Sequence, residues 1–195
     1  IFKKELRMLL TKRKIKNVMF DLDGTLINSS IDVSRILINS INKNGGNLSY
    51  DTKIKLGPPL PDMISATAPF LTKEQKQKVL EDYRIEYDKD ELKKTFPYNG
   101  IIDLLRFLKD NNIDVFIVTY KPKNLSTRIL QKYFKNLFVD IVTPSEVENF
   151  ADGKTKTDMI KMLLTKYHLN AEESVMIGDA KSDIMCAKAL KLYTI

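Results

Sequence analysis

Two aspartates, Asp21 and Asp23, follow directly after an apolar run at residues 18–20. The run predicts a buried strand, and burial disfavours an ionised carboxylate that has no partner. Both acids must therefore leave the sheet at the end of this strand, where a cation can keep them ionised. Carboxylates held in this way can bind a metal ion, attack an electrophile or transfer a proton.

Polar side chains follow two further apolar runs in the same manner. Thr119 follows the run at 113–118, Asp179 follows the run at 174–178, and Asp183 lies one helical turn beyond. Ligands bind outside the carboxyl ends of the strands in an open parallel sheet, where the strand order reverses. We therefore expect these groups to meet at one edge of the sheet.

This combination of groups predicts a divalent-metal site that handles phosphate. Carboxylate oxygens together with water suit Mg²⁺. One carboxylate can attack phosphorus and form an aspartyl-phosphate, and a second can act first as general acid and then as general base. A hydroxyl and a lysine can donate to the phosphate oxygens.

The elements that must position these residues alternate along the chain. Apolar runs that predict strands lie at residues 17–20, 113–118, 138–142, 174–178 and 192–195, and helical periodicity lies at 101–110, 123–135, 157–168 and 181–190. This alternation predicts the α/β class, with a Rossmann-like parallel sheet covered by helices on both faces.

Residues 29–97 interrupt the alternation with helical patterns at 31–41 and 73–87 and with no clear strand. The segment is far longer than an ordinary connection of about 4 to 6 residues. We predict an inserted, mostly helical cap domain at 29–97 and a core formed by 17–28 and 98–195. The last run, at 192–195, leaves open whether a further core element follows it.

Composition and charge narrow the function classes. The chain has 195 residues, 43% of them hydrophobic, and no apolar stretch of membrane-spanning length. Its single cysteine, Cys186, fits a reducing compartment and core packing, which predicts a cytoplasmic location. The single histidine, His168, is assigned to the C-terminal end of a helix.

The formal net charge of +7 is local to the N-terminus. Residues 1–17 carry a net charge of +6 and the remainder only +1. We predict a solvated basic extension at residues 1–16 and do not expect nucleic acid as a partner. The alternative from another class is a nucleic-acid-binding protein that uses this basic arm.

Four motifs carry a resemblance to a known family. The chain reads DLDGT at 21–25, VTYK at 118–121, KTKTDMI at 154–160 and GDAKSD at 178–183. These resemble, in order, the four motifs of the haloacid dehalogenase superfamily. The insertion resembles the helical C1 cap of the phosphoglycolate phosphatase-like branch, and LGPPL at 56–60 is similar to its cap loop. VTYK is close to that branch's usual form, which has Asn before the Lys.

The resemblance implies a role for each residue. Asp21 would be the nucleophile and a ligand of Mg²⁺, and Asp23 would be the general acid and base, with its backbone carbonyl on the metal. Thr119 would bind the phosphoryl group. Asp179 would complete the metal site, and Asp183 would support it from behind the ligands or through water.

The resemblance leaves two candidates for the phosphate-binding lysine. Some relatives read Lys-Pro-x-Pro-Asp, which selects Lys154, and others read Lys-x-Asp-Val-Ile, which selects Lys156. The chain lacks both prolines and reads KTDMI from Lys156 onward, which favours Lys156.

The function implied is an Mg²⁺-dependent phosphatase that hydrolyses a small phosphomonoester, with a phosphoglycolate-like substrate favoured. A pyrophosphatase or a nucleotidase of the same fold is the alternative. A dehalogenase would lack the acid at Asp23, and the phosphoglucomutase branch usually has Glu-Asp where this chain has Gly178 and Asp179. The expected partner is a small phosphorylated metabolite, and the expected state is a monomer or a homodimer.

Overall fold

The computed structural model describes residue 10 and residues 14–90, 92–147 and 155–195. The chain divides into two compact units, which we call the core unit and the helical unit. The core unit comprises the chain up to Ile27 together with Pro97–Ile195, and the helical unit comprises Asn28–Phe96. The predicted basic extension lies outside the described residues, apart from residues 10 and 14–16, and so does Lys154.

Short strands in the described residues belong to two sheets. They are β1 (Asn17–Phe20), β2 (Ile27–Asn28), β3 (Phe96–Pro97), β4 (Asp114–Val118), β5 (Asp140–Val142), β6 (Ser174–Ile177) and β7 (Tyr193–Thr194). The larger sheet has the order β5-β4-β1-β6-β7 with parallel pairing throughout, and β2 pairs with β3. The parallel sheet confirms the predicted α/β class.

The strand order reverses at β1, which has β4 on one side and β6 on the other. Phe20 pairs with Ile117 of β4 and with Ile177 of β6, so the three strands end almost level. All residues of β1 and β6 are buried. The apolar runs are therefore central strands, and the residues that follow them meet at the switch point.

Helices connect these strands. They are α1 (Ser30–Lys43), α2 (Leu60–Thr67), α3 (Lys73–Lys89), α4 (Ile101–Asp110), α5 (Lys123–Tyr133), α6 (Lys156–Lys166) and α7 (Lys181–Ala189). In the core unit, α6 presents Met159, Ile160 and Leu163 to a buried cluster that includes Phe116 of β4 and Met176 of β6. Each such side chain contributes about 1.5–3 kcal/mol through burial, so α6 is anchored firmly on the sheet.

The helix α6 ends earlier than its periodicity predicts because the chain adopts a left-handed turn. The N–H of Leu169 donates to the carbonyl of Leu164 at 2.9 Å, and His168 between them has a φ of +52°. This bond returns to the last helical turn in the manner of a Schellman cap. His168 therefore lies just beyond the helix, past the capping residue Tyr167.

The helical unit contains one helix that the sequence patterns did not predict. The predicted cap loop, LGPPL, ends where α2 begins at Leu60, and Gly57 within it has a φ of +107°. Pro61 in the first turn is the signal for a helix start at this place. The start of α3 carries a capping box between Thr72 and Gln75. The residue types of this motif can be read directly from the sequence.

A buried carboxylate joins the two ends of the helical unit. Asp32, near the start of α1, is 1% exposed. It accepts hydrogen bonds from the backbone N–H of Lys94 and from the hydroxyl of Thr95, both at 2.9 Å, and Arg35 pairs with it at 3.2 Å. These partners satisfy a charge that would otherwise be costly to bury, and they hold the return segment against α1.

Candidate active site

Asp21 lies where β1 leaves the sheet. Its backbone N–H donates to the carbonyl of Ile177 at 2.9 Å, which continues the pairing with β6 by one residue. The residue is only 7% exposed. Its carboxylate is therefore held rigidly at the switch point and is largely removed from water.

Burial and the charge of Lys156 act in opposite directions on the pKa of Asp21. Burial raises the pKa of Asp21 to about 6, the charge of Lys156 opposes this rise, and the charges of Asp183 and Asp23 add to it. Lys156 stands 2.8 Å from Asp21. The ammonium of Lys156 is thus shared between two carboxylates, Asp21 and Asp183, and a further cation would favour the ionised form of Asp21.

Three carboxylates form a group that could hold a divalent metal ion. Asp21, Asp179 and Asp183 each offer a carboxylate oxygen, and these oxygens lie within 4.8 Å of one another. Oxygen donors alone suit Mg²⁺ better than softer metals. The donor set, in which two of the acids share a single ammonium, therefore fits Mg²⁺.

The acids of this group differ in their surroundings. Asp179 is exposed and accepts a hydrogen bond from the hydroxyl of Thr25 at 3.1 Å. Asp183 is fully buried, pairs with Lys156 and accepts the backbone N–H of Ala180 at 3.0 Å. Asp179 is thus free to face a metal and water, whereas Asp183 braces Lys156 and the start of α7.

Asp23 stands apart from the carboxylate group. Its oxygens lie 2.9 and 3.3 Å from the ammonium of Lys121, and its side chain is about one-third exposed, at 34%. The side chain of Lys121 is only 2% exposed. Lys121, the last residue of the VTYK motif, is thus paired with Asp23 inside the candidate site.

Thr119 follows β4 and is 1% exposed. Its N–H donates to the carbonyl of Val142 at 3.2 Å, and its hydroxyl oxygen accepts the N–H of Lys121 at 3.1 Å. Because the hydroxyl accepts from within its own loop, its proton can be directed at a ligand. The position suits a donor to a phosphate oxygen.

Lys156 is the first residue of α6, and its side chain is 3% exposed. Burial alone would lower the pKa of Lys156, but the charges of Asp21 and Asp183 outweigh burial and raise the pKa above its ordinary value. The lysine is therefore a permanent cation beside Asp21. Lys154, the other candidate for the phosphate-binding lysine, falls outside the part of the chain that the structure describes.

Two glycines allow the carboxylates of Asp179 and Asp183 to lie close against the backbone. Gly24 has a φ of +86°, and a Cβ at this position would overlap the carboxylate of Asp179. A Cβ at Gly178 would overlap the carboxylate of Asp183. The glycines in the DLDGT and GDAKSD motifs thus leave the volume that the acids occupy.

We expect Gly24→Ala to weaken both the fold and metal binding. A left-handed backbone costs a residue other than glycine about 1–3 kcal/mol, and the new methyl group would also displace Asp179. Gly57→Ala is a matched control, because Gly57 has a φ of +107° but nothing within 4 Å of the added Cβ. Urea unfolding and titration with Mg²⁺ should show a larger loss for Gly24→Ala. Equal losses in the two variants would contradict the proposed crowding at Asp179.

The sequence assigned no role to Thr25, although it belongs to the DLDGT motif. Its bond to Asp179 joins positions 154 residues apart, which no local pattern reveals. The place of Thr25 in the DLDGT motif was the only sequence signal that could have pointed to this contact.

No helix among the described residues is long and apolar enough to span a membrane.

Comparison with known proteins gives consistent matches over most of the chain. A family model described as "Haloacid dehalogenase-like hydrolase" matches residues 18–195. Pyrophosphatase PpaX of Halalkalibacterium halodurans is 27% identical over 178 residues, covering 90% of this chain and 80% of that protein. Phosphoglycolate phosphatase of Photobacterium profundum is 28% identical over 196 residues, covering 93% and 82%. A crystal structure of a predicted phosphatase from Clostridium acetobutylicum superposes with a TM-score of 0.78 at 27% identity, covering 92% and 83%.

Proposed function

The chain belongs to the haloacid dehalogenase-like hydrolase family, and we propose that it is an Mg²⁺-dependent phosphatase acting on a small phosphomonoester through an aspartyl-phosphate. The observation that carries the proposal is the group of carboxylates at Asp21, Asp179 and Asp183 with the buried Lys156 among them. Acids and a cation gathered beyond the carboxyl ends of neighbouring strands suit in-line attack on a phosphoryl group.

In the first step, an Asp21 oxygen attacks phosphorus while the bond from phosphorus to the leaving oxygen breaks. The electron pair goes to the leaving oxygen, which takes a proton from Asp23. Lys156 and Thr119 donate hydrogen bonds to the phosphoryl oxygens and offset the negative charge on these oxygens. Lys121 fixes the position of Asp23 through the contact at 2.9 Å.

In the second step, Asp23 takes a proton from water as the water oxygen attacks phosphorus. The bond between phosphorus and Asp21 breaks, which returns the free carboxylate and releases inorganic phosphate. Asp21 and Asp179, with the backbone carbonyl of Asp23, are the groups that would hold Mg²⁺. When bound, this ion would neutralise the clustered charge and polarise a phosphoryl oxygen.

A phosphoglycolate-like substrate is favoured, and inorganic pyrophosphate is the second candidate. Both activities occur in the names of relatives that match this chain at similar identity, 28% and 27%. A nucleotidase of the same fold is a further alternative within the proposal. We also propose a cytoplasmic monomer or homodimer whose partner is a small phosphorylated metabolite and not nucleic acid.

We expect the protein to release phosphate from phosphoglycolate in the presence of Mg²⁺ and to lose this activity in EDTA. The assay should compare phosphoglycolate, pyrophosphate, nucleoside monophosphates, sugar phosphates and a generic aryl phosphate at equal concentrations. Adding Mg²⁺ back after EDTA should restore the rate, because the charge at Asp21 then has its counterion again. Undiminished hydrolysis in EDTA would contradict the metal dependence, and no release from any substrate would contradict the function.

A further inference from the structure

Tyr120 is a tyrosine between two buried residues of the candidate site, Thr119 and Lys121. Those neighbours are 1% and 5% exposed, whereas Tyr120 is 43% exposed. The backbone around it is fixed on both sides, because Thr119 bonds Val142 of β5 and the carbonyl of Lys121 accepts the hydroxyl of Ser126 at 3.3 Å. The phenol therefore projects from a rigid loop.

The phenol contacts Lys156 in two ways. Its hydroxyl oxygen accepts the backbone N–H of Lys156 at 3.2 Å, and its ring centroid lies 5.5 Å from the lysine ammonium. The N–H of Lys156 is one of the donors at the start of α6 that no carbonyl within the helix can satisfy. The capping residue Thr155 serves a different donor, the N–H of Asp158. Tyr120 thus caps one further donor of α6 from a separate element.

The ring contact is of the cation–π kind, which attracts an ammonium group to the face of an aromatic ring. Lys156 also has Asp21 and Asp183 as partners, and each acid draws the ammonium toward itself. A phosphate ligand needs the ammonium to stay beside Asp21 while the substrate arrives and leaves. The face of the neutral ring attracts the ammonium without adding a further negative charge beside it.

We propose that Tyr120 is a positioning residue that ties the start of α6 to the loop after β4 and so fixes Lys156 for phosphate binding. The proposal rests on the proposed function of the site. Both contacts come from one side chain, so substitutions at Tyr120 can test them without altering Lys156 itself.

Graded variants separate the two contacts. Tyr120→Phe keeps the ring and removes the hydroxyl, whereas Tyr120→Leu and Tyr120→Asn remove both. We expect kcat/KM to fall about 3- to 10-fold in Tyr120→Phe, as for one hydrogen bond, and about 10- to 50-fold in the other two. The dissociation constant of inorganic phosphate, measured by calorimetry with Mg²⁺ present, should rise in the same order.

Tyr133→Phe is the matched control, because Tyr133 ends α5 and so lies about 15 Å along that helix from its start near the site. A second control repeats the Tyr120 substitutions in a Lys156→Met background. If Tyr120 acts through Lys156, phosphate affinity in that background should no longer respond to them. A purely structural role would produce the same loss in both backgrounds.

The proposal is overturned if Tyr120→Phe and Tyr120→Leu both stay within about twofold of Tyr133→Phe in kcat/KM and in phosphate affinity. It is also overturned if their effects persist unchanged with Lys156→Met. A protein that binds phosphate in the expected order but hydrolyses no substrate would refute the proposed function alone. A protein that binds no phosphate at all would refute both.

Discussion

Asp21→Asn should abolish phosphate release, lowering kcat by about 10³-fold or more, as expected for loss of the nucleophile. The amide has nearly the shape of the carboxylate but cannot attack phosphorus and is a poor ligand for Mg²⁺. Because burial already disfavours the charge at Asp21, the neutral amide should fit the folded protein well. We therefore expect loss of turnover without loss of the fold, measured by phosphate release and by thermal unfolding.

The control for this variant is Asp110→Asn, which changes the same chemical group at an exposed site. Asp110 ends α4 and precedes β4, so it lies toward the amino end of that strand, away from the carboxyl ends where Asp21 stands. Its activity should match that of the original protein. Adding Mg²⁺ should raise the midpoint of thermal unfolding for Asp110→Asn more than for Asp21→Asn. Retention of ordinary turnover by Asp21→Asn would refute an aspartyl-phosphate at this residue.

Lys156→Met should have the second largest effect, because it leaves Asp21 and Asp183 facing each other without their shared cation. Breaking a buried ion pair typically costs about 3–5 kcal/mol in the free energy of unfolding. Loss of a donor to the transferring phosphoryl group should lower kcat by about 10²- to 10³-fold. Mg²⁺ should restore part of the stability, because it supplies positive charge beside the same acids. Urea unfolding with and without Mg²⁺ would measure both effects.

Lys154→Met is the matched comparison for the lysine assignment. We expect its turnover to stay within about twofold of the original, because the bond from Lys156 to Asp21 is retained. A larger loss of turnover in Lys154→Met than in Lys156→Met would reverse the assignment. Unfolding measurements on the same two variants compare their stability. We expect Lys156→Met to be destabilised, because the structure shows Lys156 buried among acids.

Sequence patterns predicted the family, the hydrolase class and the fold, and these predictions are confirmed. Strands such as β1 and β6 were predictable because central parallel strands are continuous apolar runs. The helix α2 was missed because it is short and its start overlaps a Pro-rich loop. The end of α6 was misplaced by a left-handed residue, His168, which is not a glycine.

The candidate site was less accessible to sequence reasoning than the fold. The acids could be placed because each follows a strand, and parallel strands end at one edge. The contacts of Lys121 with Asp23 and of Tyr120 with Lys156 join residues that are 98 and 36 positions apart in the sequence. Such pairings depend on how distant segments pack in three dimensions, so the periodicity of the sequence does not predict them. The roles of the site residues stay predictions that the variants above test.

The short pairing of β2 with β3 has a consequence for how the chain could be rearranged. These strands contain both points at which the chain passes between the core unit and the helical unit. Paired strands lie about 4.8 Å apart, so the inserted module starts and finishes almost at one place. The entropic cost of closing such a loop grows only slowly with its length. Modules of very different size could therefore be exchanged at this point while the sheet and its row of acids stay unchanged.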